Sequence, residues 1–206
     1  MPKVRLSKDV DYIIMINYFA VNPKDQQEFA ELEVKEIDKY GDNMDSALAA
    51  SFHRSLEGSR VFNYAHWQSQ EALSASQQSE EFEAHIDRMS HLDFTPDPRV
   101  YEVVGICSEE QPAIDSNSDL VPVLTMVYVL PGSQQPIVEF LTCDRLLQEN
   151  VVSSHLLRSR DEERVAIYTQ CRDRNTAQSL SISLSDISEL IDRIETFTYE
   201  LLGSYN

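Results

Sequence analysis

An internal repeat is the feature that most constrains the fold of this 206-residue chain. The segment HRSLEGSRVFNY, which ends at Tyr64, aligns without a gap with LRSRDEERVAIY, which ends at Tyr168. Five positions are identical at one constant spacing, and the pairs are Arg54/Arg158, Ser55/Ser159, Arg60/Arg164, Val61/Val165 and Tyr64/Tyr168. Such self-similarity indicates that one structural unit occurs twice in the chain.

The order of the predicted elements repeats as well. The first half predicts strands at residues 11–21, 46–55, 60–68 and 99–107, with one helix before the second strand and another before the fourth. The second half predicts strands at residues 121–130, 151–160, 164–172 and 196–202, with helices at 133–149 and from 185 onward. Each half therefore has the order β-α-β-β-α-β, which is the split β-α-β arrangement of ferredoxin-like domains.

Local signals predict where the helices begin and which faces they bury. Asn22 and Pro23 follow the first strand and predict an N-cap and a first helical turn, and Gly41 predicts the end of that helix. The buried face of the next helix is predicted from apolar residues one turn apart, which are Phe82, Ile86 and Met89. In the last helix Ser185 is the predicted N-cap, and the apolar residues are Ile187, Leu190, Ile191 and Ile194.

A ferredoxin-like sheet carries helices on one face only, so its other face needs a partner. Two copies in one chain supply that partner internally. We therefore predict an α+β fold of two tandem ferredoxin-like domains packed as an intrachain pseudo-dimer. The predicted boundaries are a first domain at 1–107, a polar linker at 108–120 and a second domain at 121–206.

Charge and cysteine content restrict the partners and the compartment. The net charge of −18 disfavours nucleic acid and anionic membrane surfaces, which repel an acidic protein. The sequence contains no apolar run long enough to span a membrane, and its first residues lack the apolar core of a signal peptide. Cys107, Cys143 and Cys171 lack metal-ligand spacing, so we expect reduced thiols in a cytoplasmic protein.

Three polar or aromatic residues on apolar strand faces require an explanation. Side chains alternate along a strand, so Asn17 shares a face with apolar residues of the first strand, and Asn63 and Trp67 share one of the third. A buried amide is costly unless it is hydrogen-bonded, so these residues either brace the backbone or line a pocket for a flat aromatic ligand. The second half has replaced them with Thr125, Ile167 and Cys171, which favours a site in the first half alone.

The hairpin from His53 to Trp67, the Asn22–Pro23 step and the segment Tyr101–Val104 together resemble antibiotic biosynthesis monooxygenase domains. The resemblance covers residues 11–105, and the second half shares it only weakly. It implies a dimeric α+β barrel in which the chain acts without metal, flavin or haem. The implied reaction is oxidation of an anthrone-type polyketide or phenolic substrate to a quinone by O₂.

The resemblance also implies the site. Asn17, Asn63 and Trp67 match the family's pocket residues and would stabilise the substrate anion. His85 is a candidate base, although it could equally be a partly exposed helix residue. His66 and Tyr18 lie on the opposite strand faces, where we expect the domain interface.

Two alternatives stay open at this point. A sister group with the same fold degrades haem, and Asn17 and His85 could serve such a role. The helix segment Glu71–Gln78 lacks the tryptophan that this group carries, which weakens the haem interpretation. The other alternative is a non-redox binding module or a cyclase-like isomerase of the same fold. The expected partners are a small aromatic substrate and O₂, and the expected assembly is a monomeric pseudo-dimer or a homodimer of pseudo-dimers.

Overall fold

The computed structural model of the protein describes residues 12–43, 47–108, 114–115 and 118–205. The strands are β1 Ile13–Val21, β2 Ala47–Ser55, β3 Arg60–Trp67, β4 Phe94–Ser108, β5 Val121–Val129, β6 Val151–Ser159, β7 Arg164–Cys171 and β8 Ile191–Tyr205. The helices are α1 Gln26–Asn43, α2 Gln70–Gln77, α3 Glu80–Met89, α4 Gln134–Phe140, α5 Cys143–Leu146 and α6 Arg174–Ser179, with a 3₁₀ helix at Ser185–Leu190. Within these ranges no helix has the length and apolarity needed to cross a bilayer. Of the predicted features, Asp11, Ser46 and the linker residues 109–113 and 116–117 lie outside the described residues.

The eight strands form one closed antiparallel barrel. Its order is β1-β3-β2-β8-β5-β7-β6-β4, and β4 returns to β1. Each half contributes the order expected of a ferredoxin-like sheet, β4-β1-β3-β2 and β8-β5-β7-β6. The pairs β2–β8 and β4–β6 join the halves and leave no open sheet edge. The predicted tandem pseudo-dimer is therefore confirmed.

The long strands β4 and β8 form the two junctions between the halves. The sequence prediction placed the first residue of each strand too late in the chain. In β4, residues 94–101 pair with β1 and residues 101–108 pair with β6. In β8, residues up to Thr198 pair with β5 and residues from Tyr199 pair with β2. Pro96 and Pro98, which cannot donate backbone hydrogen bonds, lie in the part of β4 that pairs with β1 alone.

Several predicted helix boundaries were wrong. Asn22 is not an N-cap: it forms a turn in which its Oδ1 accepts from Lys24 N at 3.3 Å, and α1 begins only at Gln26. The helix passes through Gly41 instead of ending there. The helix predicted at 133–149 stops at Phe140 and resumes as the four-residue α5.

The last predicted helix was also wrong. Residues 185–190 form a 3₁₀ helix, and Ser185 is its first residue and not its cap. Ile191 and Ile194 belong to β8, because this strand must reach two neighbouring strands and so begins five residues earlier than predicted.

Aromatic rings fill the barrel interior. Phe62, Tyr64 and His66 point inward from β3, as their alternation predicted, and all three are buried. The His53 ring stacks on Phe62 with centroids 4.1 Å apart, and its Nε2 lies 3.1 Å from the hydroxyl of Tyr168. The core between the two sheets is thus built from both halves.

The residues that repeat in sequence have matching structural roles. Ser55 Oγ accepts from Arg60 N at 2.9 Å, and Ser159 Oγ accepts from Arg164 N at 3.0 Å, so each serine closes the turn of its hairpin. In each half a buried glutamine of the first helix donates from Nε2 to the backbone carbonyls on both sides of that turn, and these residues are Gln26 and Gln134.

The repeated arginines form ion pairs across the junctions between the halves. Arg164 of the second half binds Asp97 of the first at 2.7 Å, and Arg60 of the first half lies 3.9 Å from Glu195 of the second. Arg54 binds Glu200 and Arg158 binds Glu102 in the same reciprocal manner. The repeated arginines therefore stabilise the interface between the two halves.

A disulfide joins Cys107 at the end of β4 to Cys143 at the start of α5. The expectation of three reduced thiols was wrong for these two, because widely spaced cysteines gave no sign that the fold brings them together. Cys171 is free and buried. Disulfides persist mainly in oxidising compartments, so the cytoplasmic location stays a prediction that this bridge does not support.

Breaking the half-buried ion pair between Arg164 of β7 and Asp97 of β4 should destabilise the protein more than breaking the exposed pair between Arg158 and Glu102. We expect Asp97→Ala to lower the free energy of unfolding by about 2 kcal/mol, because it leaves the Arg164 guanidinium, 7% exposed, without its carboxylate. Glu102→Ala removes a pair in which both side chains are 40% exposed and should cost less than about 1 kcal/mol. Urea unfolding of both variants measures the difference, and equal losses would contradict it.

Acid should destabilise the barrel through its buried histidines. Burial lowers the pKa of His53 to about 3 and the pKa values of His66 and His155 to about 4. Between pH 6.5 and about 4 the unfolded chain therefore binds more protons than the folded one, so stability is complete above this range and falls as the pH drops. Each histidine contributes roughly 1.4 kcal/mol per pH unit. Urea unfolding from pH 7 to 5 should show this slope, and His66→Phe should reduce it by about one histidine's share.

Candidate functional site

A cavity of about 390 Å³ lies in the first half, between the outer face of the β1–β3 sheet and the helices α1 to α3. Its wall is mostly apolar, and the larger apolar side chains are Met15, Phe19, Phe52, Leu73, Phe82 and Met89. The polar or aromatic residues named from the sequence all line this cavity, and these are Asn17, Asn63, Trp67 and His85. The volume and the lining are typical of a small-molecule pocket.

The two asparagines are direct neighbours across β1 and β3. Asn17 and Asn63 are register partners, so their side chains leave the sheet on the same face with Cβ atoms about 5 Å apart. Trp67 is on the same face at the end of β3. The Oδ1 atoms of both amides and the indole Nε1 are buried without a hydrogen-bond partner among the described residues. Folded proteins satisfy nearly all buried polar groups, so these three unpaired atoms are candidates for hydrogen bonds to a small molecule in the cavity.

His85 is buried in the opposite wall of the cavity, on α3. Its Nε2 lies 2.9 Å from Oε1 of Glu33 on α1, and its Nδ1 lies 4.0 Å from Oε1 of Glu36 without making a hydrogen bond. Arg88, one turn after His85, binds the carboxylate of Glu36. The imidazole therefore has one nitrogen held by a carboxylate and one buried nitrogen without a hydrogen-bond partner among the described residues.

The structure revises the interpretation of the helix that carries His85, which is α3. His85 is 7% exposed, so it is not a partly exposed helix residue, and Ile86, expected in the buried face, is 41% exposed at the cavity. Glu33 and Glu36 were missed altogether. They follow Phe29 by four and seven residues, so carboxylates in phase with a buried phenylalanine were the available signal.

The residues set aside in the sequence analysis lie inside the barrel. His66 is buried there and stacks on Tyr12 with centroids 4.6 Å apart. The hydroxyl of Tyr18 donates to Glu195 at 3.0 Å and accepts from Arg60 at 3.2 Å. Burial and the nearby Glu195 carboxylate raise the pKa of Tyr18 far above its usual value, so its phenol stays protonated. Both residues serve the junction between the halves.

The second half has packed the equivalent space with apolar side chains. Its strands have the same register, since Thr125 pairs with Ile167 as Asn17 pairs with Asn63. Ile167 and Cys171 are fully buried, and burial raises the pKa of the Cys171 thiol to about 11. The break between α4 and α5 lets Leu141 and Leu146 pack against Ile167 in one cluster, which is typical of a scaffold.

No cluster of three or more histidine, cysteine or acidic side chains suited to a metal ion exists in the ranges that the structure covers. Four buried polar atoms of described cavity residues have no hydrogen-bond partner, and these are Oδ1 of Asn17, Oδ1 of Asn63, Nε1 of Trp67 and Nδ1 of His85. This set suits an organic ligand that both donates and accepts hydrogen bonds.

Residues 12–88 match the family model described as antibiotic biosynthesis monooxygenase. A tetracenomycin-F1 monooxygenase from Streptomyces glaucescens is 29% identical over 82 residues, which is 40% of this chain and 73% of the relative. The resemblance predicted from the sequence is thus confirmed for the half that contains the cavity.

Solved structures extend the fold comparison to the whole chain. The crystal structure of an anthrone oxidase-like protein aligns with a TM-score of 0.83 at 15% identity, covering 99% of this chain and 96% of that one. A protein from Fusobacterium nucleatum aligns with a TM-score of 0.68 at 10% identity, covering 96% and 95%. At these identities the likeness shows the fold alone, and it includes both halves of the barrel.

A cavity residue kept for ligand binding should not contribute to stability. We expect Asn63→Ile, which introduces the residue of the matching position 167, to raise the free energy of unfolding by about 1 kcal/mol because it removes an unsatisfied buried amide. The reverse change, Ile167→Asn, should lower it by about 3 kcal/mol. Urea unfolding tests both, and a clear loss in Asn63→Ile would show that the amide braces the fold.

Proposed function

We propose that the first half of the chain is a cofactor-independent monooxygenase that oxidises an anthrone-type or phenolic aromatic substrate with O₂ to a quinone. The observation that carries this proposal is that the neutral amides of Asn17 and Asn63 and the indole of Trp67 line one mostly apolar cavity together with His85. The match to the monooxygenase family and the similarity to a tetracenomycin-F1 monooxygenase support the type of reaction.

The first step of the proposed reaction is removal of a proton. An anthrone CH₂ or a phenol O–H loses its proton to Nδ1 of His85, and the electron pair stays on the substrate as an enolate or phenolate. The amide N–H groups of Asn17 and Asn63 and the indole N–H of Trp67 are neutral donors that can stabilise this anion. Such donors are effective in an apolar cavity, because water does not compete with them there.

The second step is attack on oxygen. The substrate anion is electron-rich enough to reduce O₂, and a new C–O bond forms a peroxide on the ring carbon. The O–O bond then breaks as the carbon loses its second hydrogen as a proton, so one oxygen becomes the quinone carbonyl and the other leaves as water. Four electrons pass from the CH₂ group to O₂, and the balance closes without another reductant.

Haem degradation is less compatible with this geometry. The nitrogen of His85 that would most readily bind iron, Nε2, is held by the Glu33 carboxylate at 2.9 Å inside the wall. A non-redox binding module would use the same cavity, and it differs from the oxygenase only in the fate of the bound ligand. Turnover therefore decides between the two.

The proposal is tested by incubating the protein with 1,8-dihydroxyanthrone in air and under nitrogen. We expect a quinone product that contains one atom from ¹⁸O₂, formed only in air and faster than the uncatalysed oxidation. Asn63→Ala combined with Trp67→Phe should lower kcat by about 10²–10³, since it removes anion-stabilising donors.

The matched control comes from the second half. Thr125→Val removes a buried hydroxyl at the position equivalent to Asn17, where it pairs with Thr196 at 3.1 Å, and should leave the rate unchanged. Turnover under nitrogen, or full activity in the double variant, would overturn the proposal. Binding without oxidation would assign the cavity to a binding module.

A further inference from the structure

A buried charged network joins α1 to α3 at the end of the cavity. Glu33 and Glu36 are 3% and 6% exposed, and both line the cavity. A carboxylate this deeply buried is unfavourable without a partner. Glu36 has the guanidinium of Arg88, whereas Glu33 faces the Nε2 of His85 at 2.9 Å. The charge of Glu33 therefore acts on the imidazole more directly than the charge of Glu36 does.

The hydrogen bond to Glu33 determines which nitrogen of His85 carries the proton. An ionised carboxylate only accepts hydrogen bonds, so Nε2 must be the N–H donor to it. In the neutral ring the other nitrogen, Nδ1, then has a free lone pair. Nδ1 is buried, has no hydrogen-bond partner among the described residues, and belongs to a residue of the cavity wall. It is the atom that can receive a proton from a bound phenol.

We propose that Glu33 is a positioning residue that holds His85 as the Nε2–H tautomer and stabilises the imidazolium formed when Nδ1 takes the substrate's proton. This inference rests on the proposed function for the identity of the substrate as a phenol or anthrone. The step itself breaks an O–H bond, leaves the electron pair on oxygen as a phenolate and forms an N–H bond on Nδ1. No electron leaves the substrate in this step.

Two comparisons within the chain support the assignment. The second half has Leu141 at the position that corresponds to Glu33 in α1, counted from the matching glutamines Gln26 and Gln134, and Leu141 lies with Ile167 in one apolar cluster. The exposed pair Glu28–His91 has the same 2.9 Å distance, but its side chains are more than half exposed and lie outside the cavity wall. Glu28 is therefore a control of equal chemistry without the proposed role.

The first experiment measures proton transfer without turnover. 2-Hydroxyanthraquinone, whose absorbance changes when its hydroxyl ionises, is bound to the protein at pH 7 without oxygen. We expect the ratio of bound phenolate to bound phenol to fall about tenfold in Glu33→Gln, which corresponds to one unit of relative pKa. Glu28→Gln should leave the ratio as in the wild type. An unchanged ratio in Glu33→Gln would overturn the inference.

The second experiment measures turnover of 1,8-dihydroxyanthrone in air across pH. Glu33→Gln should lower kcat about tenfold with little change in KM and move the acidic limb of the profile to lower pH, because the imidazole loses a stabilising charge. If the wild type shows the phenolate signal but no turnover, the proposed function fails while the role of Glu33 in proton transfer stands. If the wild type turns over and Glu33→Gln matches it in both assays, only the inference fails.

A third measurement needs no variant and so does not depend on how Glu33→Gln folds. Long-range ¹⁵N–¹H correlation spectra of the wild type report which imidazole nitrogen carries the proton. We expect the neutral form of His85 to be the Nε2–H tautomer. A neutral Nδ1–H tautomer would overturn the inference whatever the activity.

Discussion

The pairing of each half's second strand with the other half's last strand is the constraint on which the rest of this structure depends. A four-stranded ferredoxin-like sheet alone has two open edges and one uncovered apolar face. The junctions β2–β8 and β4–β6 remove the edges and the uncovered face together, because they close the sheets into a barrel around a shared aromatic core. The inner face of each sheet is therefore buried in the core of the barrel. The outer face, which lies below the helices, can form a cavity.

The residues that are identical in the two repeats serve the hairpin turns and the junctions between the halves. The residues that kept their identity, such as Arg60 and Arg164, close the hairpin turns and bind across the junctions. Residues under the helices are among those that differ between the halves, and Asn63 of the first half corresponds to Ile167 of the second. One half can lose its cavity without disturbing the barrel, since no junction depends on it. The first half keeps a cavity under its helices, whereas apolar side chains pack around Ile167 in the second half.

The sequence predicted the repeat, the element order and the strand faces, because these depend on periodicity and on residues close together in the chain. Alternation along β3 alone placed Asn63 and Trp67 outside the barrel and His66 inside it, as the structure has them. These features carry their information locally.

The features that sequence reasoning missed depend on contacts between distant segments. The first residues of β4 form a strand because β1 lies beside them, in spite of Pro96 and Pro98. Cys107 and Cys143 meet because β4 crosses into the second half. Glu33 was not identified from the sequence, since nothing near it in the chain reveals that His85 packs against it from α3.

The site also shows why its parts belong to different elements. Transfer of a proton inside an apolar cavity creates two opposite charges, and both are unfavourable there unless each has its own partner. In the proposed reaction the neutral donors for the anion come from β1 and β3, the imidazolium forms on α3, and the carboxylate that stabilises it comes from α1. The distance between these two groups is set by how the helices pack on the sheet. Because the barrel fixes that sheet, the chemistry proposed for the first half depends on the strands that the second half contributes.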